Sequence, residues 1–378
     1  MPLITDITNR LTEWLLKGVS TDIVELGSHS FRRLRAEFNE GRFLLRETFS
    51  TPAPRRAFTF SSRLPGGIFD EEGMKEAIEK LFPKTSPRPE YVTVLLPDAA
   101  FHVGLVSISA TLLKTGAKAL VEREVQTSAS LPLSEYQVTW EVGQGKGPKR
   151  ELLFCAISRT TCEEVRELFE NLDFVPLSIQ PSFISLFGLV RLVENDPASH
   201  PSVVIHFGHE TTVVAVTVAG LLRRIQFIPF GAVDLSTTLA QKAGMTLEQA
   251  EAALAREVIL LEEPASEAQA EIPAYRILEP LFITFLQKIY GVLQLHANEC
   301  PQEAAFQRVL LSGGGALLKH LDRLIAANLG LPTTCLSASI APLIIGGMPE
   351  SKVTSFAPLL GAIALRPWDQ ERFDRMVA

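Results

Sequence analysis

The chain has 378 residues, 46% hydrophobic and 21% charged, with a formal net charge of -7. That length exceeds a single small core and implies two lobes or a nested arrangement, and the acidic balance argues against nucleic acid, whose binding needs a basic patch. The four cysteines (Cys155, Cys162, Cys300 and Cys335) lack paired CxxC spacing, so neither a zinc site nor a disulfide framework is signalled; no run approaches the ~18 apolar residues of a transmembrane helix, and no basic start precedes an apolar signal core, so cytoplasm is the default.

Residues 1–19 begin the chain with an amphipathic helix carrying Leu3, Ile4, Ile7, Leu11, Trp14 and Leu15 at helical spacing. It is expected to dock on the protein's own surface, with a membrane or a partner as the other reading. Strands are expected at Thr21–Leu26, Phe31–Phe38 and Arg42–Phe49, joined by turns at Gly27-Ser28 and Asn39-Glu40-Gly41. A meander of this kind differs from a dinucleotide fold, which places a helix directly after the glycine turn. A helix over 70–82 has acidic residues in its first turn, and Tyr91–Leu96 reads as a buried strand. Residues 101–174 form a compact unit of strand, helix, strand, Gly/Lys hairpin, strand and helix; Gly143-Gln-Gly-Lys-Gly lacks phosphate-loop spacing and reads as a turn. After a helix from Pro181, strands at Ser202–Phe207, Thr211–Val218 and Leu222–Ile228 repeat the meander around Gly208. Thr246-Leu247-Glu248-Gln249 reads as a capping box. A long helix (Arg276–Asn298), a strand ending at Ser312, the run Gly313-Gly314-Gly315, a helix over 316–329 and a last helix over 356–365 complete the chain. The basic clusters Arg32-Arg33-Arg35, Arg55-Arg56 and Arg223-Arg224 are expected to be solvated faces.

Two glycine hairpins followed by a glycine run suit a nucleotide cleft, because only glycine lets backbone N–H groups approach phosphates closely. The segments Leu311-Ser312-Gly313-Gly314-Gly315-Ala316-Leu317-Leu318, Ile228-Pro229-Phe230-Gly231-Ala232-Val233-Asp234-Leu235 and Leu95-Leu96-Pro97-Asp98-Ala99-Ala100-Phe101 resemble the adenosine motif, the entry to subdomain 2B and the entry to subdomain 1C of the PilM family, the FtsA-like branch of the actin/Hsp70-type ATPases. The resemblance implies an α/β, actin-like fold, a duplicated ribonuclease H-like core in two lobes, with a 1C subdomain. It places 1A in 20–99, 175–197 and 356–378, 1C in 100–174, 2A in 198–230 and 305–355, and 2B in 231–304. It implies nucleotide contacts from Gly27, Ser28, Ser30, Arg32, Gly208, Thr211, Thr212, Gly313, Gly314, Gly315 and Lys288, with Glu25 as a metal candidate.

Departures from the family pattern bear on mechanism. Glu25 stands where Asp is usual, Arg32 where Lys is common, and His206 where an acid normally helps hold hydrated magnesium; magnesium prefers hard oxygen ligands. ATP with Mg2+ is therefore a doubtful ligand and hydrolysis is not expected. His206 and His209 lack a third ligand, and Ser28-His29-Ser30 lacks an acid to orient a base. The resemblance implies a scaffold of type IV pilus assembly that sits under the inner membrane and binds the cytoplasmic tail of a PilN-like membrane protein between 1A and 1C, alongside other pilus assembly proteins, with self-association open. The alternatives are a small-molecule kinase of the same superfamily, an FtsA-like division protein and a GspL-like secretion component.

Overall fold

The computed structural model describes residues 21–143, 148–194, 200–256 and 273–365. The expected helix over 1–19, the tip of the 143–149 hairpin, nearly all of the Glu/Ala/Pro-rich loop and residues 366–378 lie outside them. The first strands β1 (Thr21–Leu26), β2 (Ser30–Asn39) and β3 (Arg42–Pro52) form an antiparallel meander. Its second turn is made by Glu40 (φ 52) and Gly41 (φ 77), both left-handed, as a two-residue hairpin requires. Helix α1 (Glu71–Glu79) is capped by Asp70, whose carboxylate accepts from Gly73 N at 3.0 Å. β4 (Tyr91–Leu96) then pairs parallel with β1.

β5 (Phe101–Ser109), α2 (Leu113–Ser128), β6 (Tyr136–Val142) and β7 (Lys149–Ser158) build a separate unit, an antiparallel sheet in the order β5-β7-β6 with α2 on one face. Its own small core contains Val121, Val125, Leu152 and Phe154. The chain returns through α3 (Arg159–Glu170) to β8 (Val175–Pro181), parallel to β4, and into α4 (Ser182–Val193).

A second meander follows: β9 (Ser202–Phe207), β10 (Thr212–Val218) and β11 (Leu221–Ile228). Helices α5 (Ala232–Ala243) and α6 (Leu247–Arg256) come next. The expected capping box forms, with Gln249 N donating to Thr246 Oγ1 at 3.2 Å and Thr246 N to Gln249 Oε1 at 2.9 Å. The long helix α7 (Pro273–Glu299) precedes β12 (Arg308–Ser312), α8 (Leu321–Leu329), β13 (Thr333–Cys335), the short α9 (Leu336–Ile340), β14 (Ile344–Ile345) and α10 (Glu350–Ala364).

The large sheets run β14-β3-β2-β1-β4-β8 and β11-β10-β9-β12-β13. From its meander onward, each has third strand beside second, second beside first, then two parallel strands. This common order is the duplicated two-lobed fold expected from the sequence. Helices α4 and α10 lie between the lobes, where Phe183, Leu186 and Leu360 share one core with Ile23 and Leu34 of the first sheet and Val204 and Val213 of the second. Burying each such side chain contributes about 1.5–3 kcal/mol. The two helices touch through Gly188 and Gly361: a methyl on Gly361 would meet the Ser185 carbonyl, and one on Gly188 the Gly361 carbonyl.

Three expectations change. The glycine run enters a 3-10 turn (Gly314–Leu317), and α8 starts only after His320, whose φ of 65 breaks the path. The last helix starts at Glu350, six positions earlier than expected. Arg33 is fully buried rather than solvated: its guanidinium reaches Asp22 Oδ1 at 2.6 Å and Glu47 Oε2 at 3.2 Å, donates to Leu81 O at 3.1 Å, and lies over the Phe82 ring. Burial outweighs these partners at Asp22 and raises its carboxyl above the usual range.

Candidate functional site

A cleft of about 580 Å³ opens between the lobes where the β1–β2 turn, the β9–β10 turn and the turn after β12 converge. The duplication places the first two as counterparts. Gly27 and Gly208 are required by the turns themselves: an added Cβ would stand 2.8 Å from the Ser30 carbonyl oxygen in one and 2.6 Å from the Thr211 carbonyl oxygen in the other. Gly313 (φ 87) and Gly315 press on Phe207, whereas a Cβ on Gly314 would meet nothing within 4 Å and so faces open space.

Charge differs between the two turns. Glu25, two residues before Gly27, is 5% exposed and fully engaged: Arg32 Nη1 donates to its Oε2 at 2.9 Å and Ser182 Oγ to its Oε1 at 3.1 Å. The second turn has His206 at the equivalent place, 8% exposed, with Nδ1 3.4 Å from Ser312 Oγ. Burial, assisted by the nearby Arg32 cation, pushes its pKa down to about 4, so the imidazole is neutral near pH 7. At the mouth, the His29 and His209 rings meet across the lobes with centroids 4.8 Å apart. Burial and the His29 ring push His209 down to about 4 as well.

Of the residues singled out from sequence, Glu25, Gly27, Ser28, Ser30, Arg32, Gly208, Thr211 and Gly313 to Gly315 all line this cleft. Two do not. Thr212 is fully buried and donates to the Phe230 carbonyl at 2.7 Å, and Lys288 is exposed on α7, outside the lining. His206 and His209 do not act as a pair, since one reaches Ser312 and the other His29.

Sequence reasoning missed Asp98 and Ser182. Asp98 follows β4 directly, at the carboxyl end of a parallel strand where ligand sites collect, and that position was the available signal. Its Oδ1 accepts from Phe183 N at 2.8 Å at the start of α4, and burial pushes its pKa up to about 7. Ser182 carries no sequence signal, because only the fold brings it to Glu25.

A hydrated magnesium ion needs ionised oxygen ligands with free lone pairs. Glu25 has both oxygens committed, Asp98 is half protonated near neutrality, and His206 offers a neutral nitrogen. This donor set does not fit that ion. The backbone around Gly314 and the Arg32 cation are better suited to an anion.

A model of the family described as "Type IV pilus assembly protein PilM" matches residues 24–361. Among solved structures, a "PilM-PilN type IV pilus biogenesis complex" is similar at 15% identity and TM-score 0.73, over 92% of this chain and 99% of that one. The ethanolamine utilization protein EutJ from Carboxydothermus hydrogenoformans is similar at 13% identity and TM-score 0.51, covering 92% of this chain and 89% of its own. MreB5 of Spiroplasma citri bound to AMPPNP is similar at 11% identity and TM-score 0.52, covering 94% and 99%. At these identities the structures establish the actin-like fold, and the family match establishes more: the chain belongs to the PilM family of type IV pilus assembly proteins.

Proposed function

We propose that this PilM-family chain is a non-hydrolysing scaffold of the type IV pilus assembly complex, holding the cytoplasmic tail of a PilN-like protein at the cytoplasmic face of the inner membrane. The observation that carries the non-hydrolysing part is the ion pair of Glu25 with Arg32 opposite a neutral His206. Phosphoryl transfer is mostly positioning and charge stabilisation around a metal, and neither acidic position is available to one. Partner capture is supported by the family match and by the likeness to a solved PilM-PilN complex.

Surface chemistry supports a peptide groove between the six-stranded and three-stranded sheets. The loop after β3 crosses from one to the other: Ser62 O accepts from Tyr136 Oη at 2.9 Å, and Thr161 Oγ1 donates to Gly66 O at 3.1 Å. On this anchored loop Leu64 and Phe69 are 56% and 71% exposed. Apolar side chains held outward on a fixed loop are what a short peptide uses for grip. Among the described residues no helix is long and apolar enough to cross a membrane, so attachment through a partner's tail suits the assembly.

The test is fluorescence anisotropy with a labelled PilN-tail peptide, together with calorimetry of ATP with and without magnesium. We expect saturable peptide binding that weakens at least about tenfold in Leu64→Glu or Phe69→Glu, and no magnesium-dependent heat until His206→Asp is introduced. Magnesium-dependent binding to the wild type would replace the scaffold with a nucleotide-gated switch.

A further inference from the structure

Away from the cleft, α7 ends at a turn where three different ligand groups converge. His296 stands in its last turn, Cys300 follows the helix, and Glu303 closes the 3-10 turn Pro301–Glu303. Cys300 N donates to His296 O at 2.8 Å and Glu303 N to Cys300 O at 2.8 Å, so the chain folds back and turns all three side chains to one point. A ring nitrogen, a thiol sulfur and a carboxylate oxygen from these residues lie within 4.8 Å of one another.

An independent observation marks the same point as incomplete. His296 is 1% exposed, yet neither of its ring nitrogens has a hydrogen-bond partner. Glu303 Oε2 is buried and likewise makes no hydrogen bond; it faces His296 Nε2 at 3.5 Å, an ion pair only when the ring is protonated. Buried polar atoms left unpaired are costly and rare, and an ion between them is one of few ways to satisfy both.

Local charge favours a cation. Glu151, Glu299 and Glu303 surround the point, against Arg223 and Arg224. Arg223 Nη1 lies 3.2 Å from Glu151 Oε2 and its Nε 3.5 Å from Glu303 Oε1, while Arg224 pairs with Glu299. Three carboxylates against two guanidinium groups leave one negative charge before the thiol ionises. The Arg223 contact falls on Oε1 of Glu303 and makes no hydrogen bond there, while Oε2 turns toward the imidazole; charges beside a ligand in this way help to orient it.

We infer that this junction binds a divalent transition metal of the zinc class through His296 Nε2, Cys300 Sγ and Glu303 Oε2, with water in the fourth position. One nitrogen, one sulfur and one oxygen form a borderline-soft set that suits zinc and not magnesium or calcium. Bonds of about 2.0–2.3 Å put tetrahedral ligands some 3.5 Å apart, so side-chain rotation closes the site. Cys300 binds as thiolate and its proton leaves to solvent. Paired CxxC spacing does not describe this arrangement, whose sequence trace is His296 and Cys300 one helical turn apart. The ion would staple the end of α7 to the approach of β12 and, through Glu303, Arg223 and Glu151, tie the second lobe to the three-stranded sheet.

The test uses the full chain, reduced and stripped with a chelator, titrated with Co2+ as a spectroscopic probe and with Zn2+ against a chromophoric chelator. The expected result is about one equivalent bound, a thiolate-to-cobalt charge-transfer band, and zinc protection of Cys300 from alkylation read by mass spectrometry. Cys300→Ser abolishes the band and weakens zinc at least about tenfold, whereas Cys335→Ser keeps both. Should the serine variant misfold, the alkylation measurement on wild type decides alone. No saturable binding, no protection of Cys300, or a band that survives Cys300→Ser overturns the inference.

Discussion

The β1–β2 and β9–β10 turns occupy equivalent places in equivalent sheets, yet carry opposite chemistry. Both turns need glycine for the same reason, a backbone carbonyl three residues on. Two residues before that glycine, the first turn has a carboxylate locked by Arg32 and Ser182, and the second has an imidazole that burial keeps neutral. The two turns share their backbone geometry and differ in the groups they aim into the cleft. Turn geometry is set by contacts within the lobe, so the fold maintains it whether or not a nucleotide binds. The side chains aimed into the cleft are free of that constraint.

The sharpest way to break the comparison is pH. His206 has a folded pKa near 4 against an ordinary value of 6.5, so the unfolded chain takes up the proton first. Its contribution to stability is complete above about pH 6.5 and is lost as pH falls toward 4, up to about 3 kcal/mol in all. Asp98 acts in the opposite sense: its pKa rises from 3.8 to about 7, so its contribution is present at low pH and lost as pH rises through that window. The difference between wild type and His206→Gln isolates the histidine. In urea unfolding, the stability gap should change by about 2–3 kcal/mol between pH 7 and 4; a flat gap would mean that the imidazole is solvated and the two turns are alike.

Next in size is the shared glycine. Gly208→Ala should cost about 2 kcal/mol or more, and Gly27→Ala somewhat less, because the clash with backbone is tighter in the second turn. Denaturant midpoints check both. If both variants are as stable as the wild type, the glycines are kept for ligand approach and not for the turn.

Arg32→Ala tests the first turn alone. Arg32 is 19% and Glu25 7% exposed at the side chain, so loss of the pair should cost about 1–2 kcal/mol, less than for a fully buried pair. Removing the cation should also raise the His206 pKa, because Arg32 helps to lower it; an NMR titration of that ring reads the coupling between the turns.

These contrasts show why the fold was legible in the sequence and the site only partly. Two meanders with a glycine at each first turn were visible as alternating strands, and Thr246 and Gln249 announced a helix start by local spacing. Gly27, Gly208 and Gly313 to Gly315 could be placed at one cleft because backbone order follows chain order. Lys288 could not, because its direction depends on which face of α7 packs on β9 and β10, and helical period alone leaves that open where Ile283 and Tyr290 are exposed too. Arg33 misled for a similar reason: a run of arginines reads as solvated, and only the pairing of β1 with β2 sets Asp22 beside it. Ser182 gains its meaning from its contact with Glu25, far along the chain, which local sequence does not encode.

The smallest expected effect concerns how the lobes are held together. At the cleft mouth Arg55 Nη1 meets Glu248 Oε1 at 2.7 Å across the lobes, but the side chains are 65% and 64% exposed. Water and salt screen such a pair, and ordering two long side chains offsets most of its attraction. Arg55→Ala should therefore leave the unfolding midpoint within error of the wild type at physiological salt. The core between α4 and α10, closed by Gly188 against Gly361, holds the lobes whether or not this pair forms. Small-angle scattering checks the point: an unchanged radius of gyration in Arg55→Ala fits lobes fixed by that core, and an expanded one would make the surface pair the latch of the cleft.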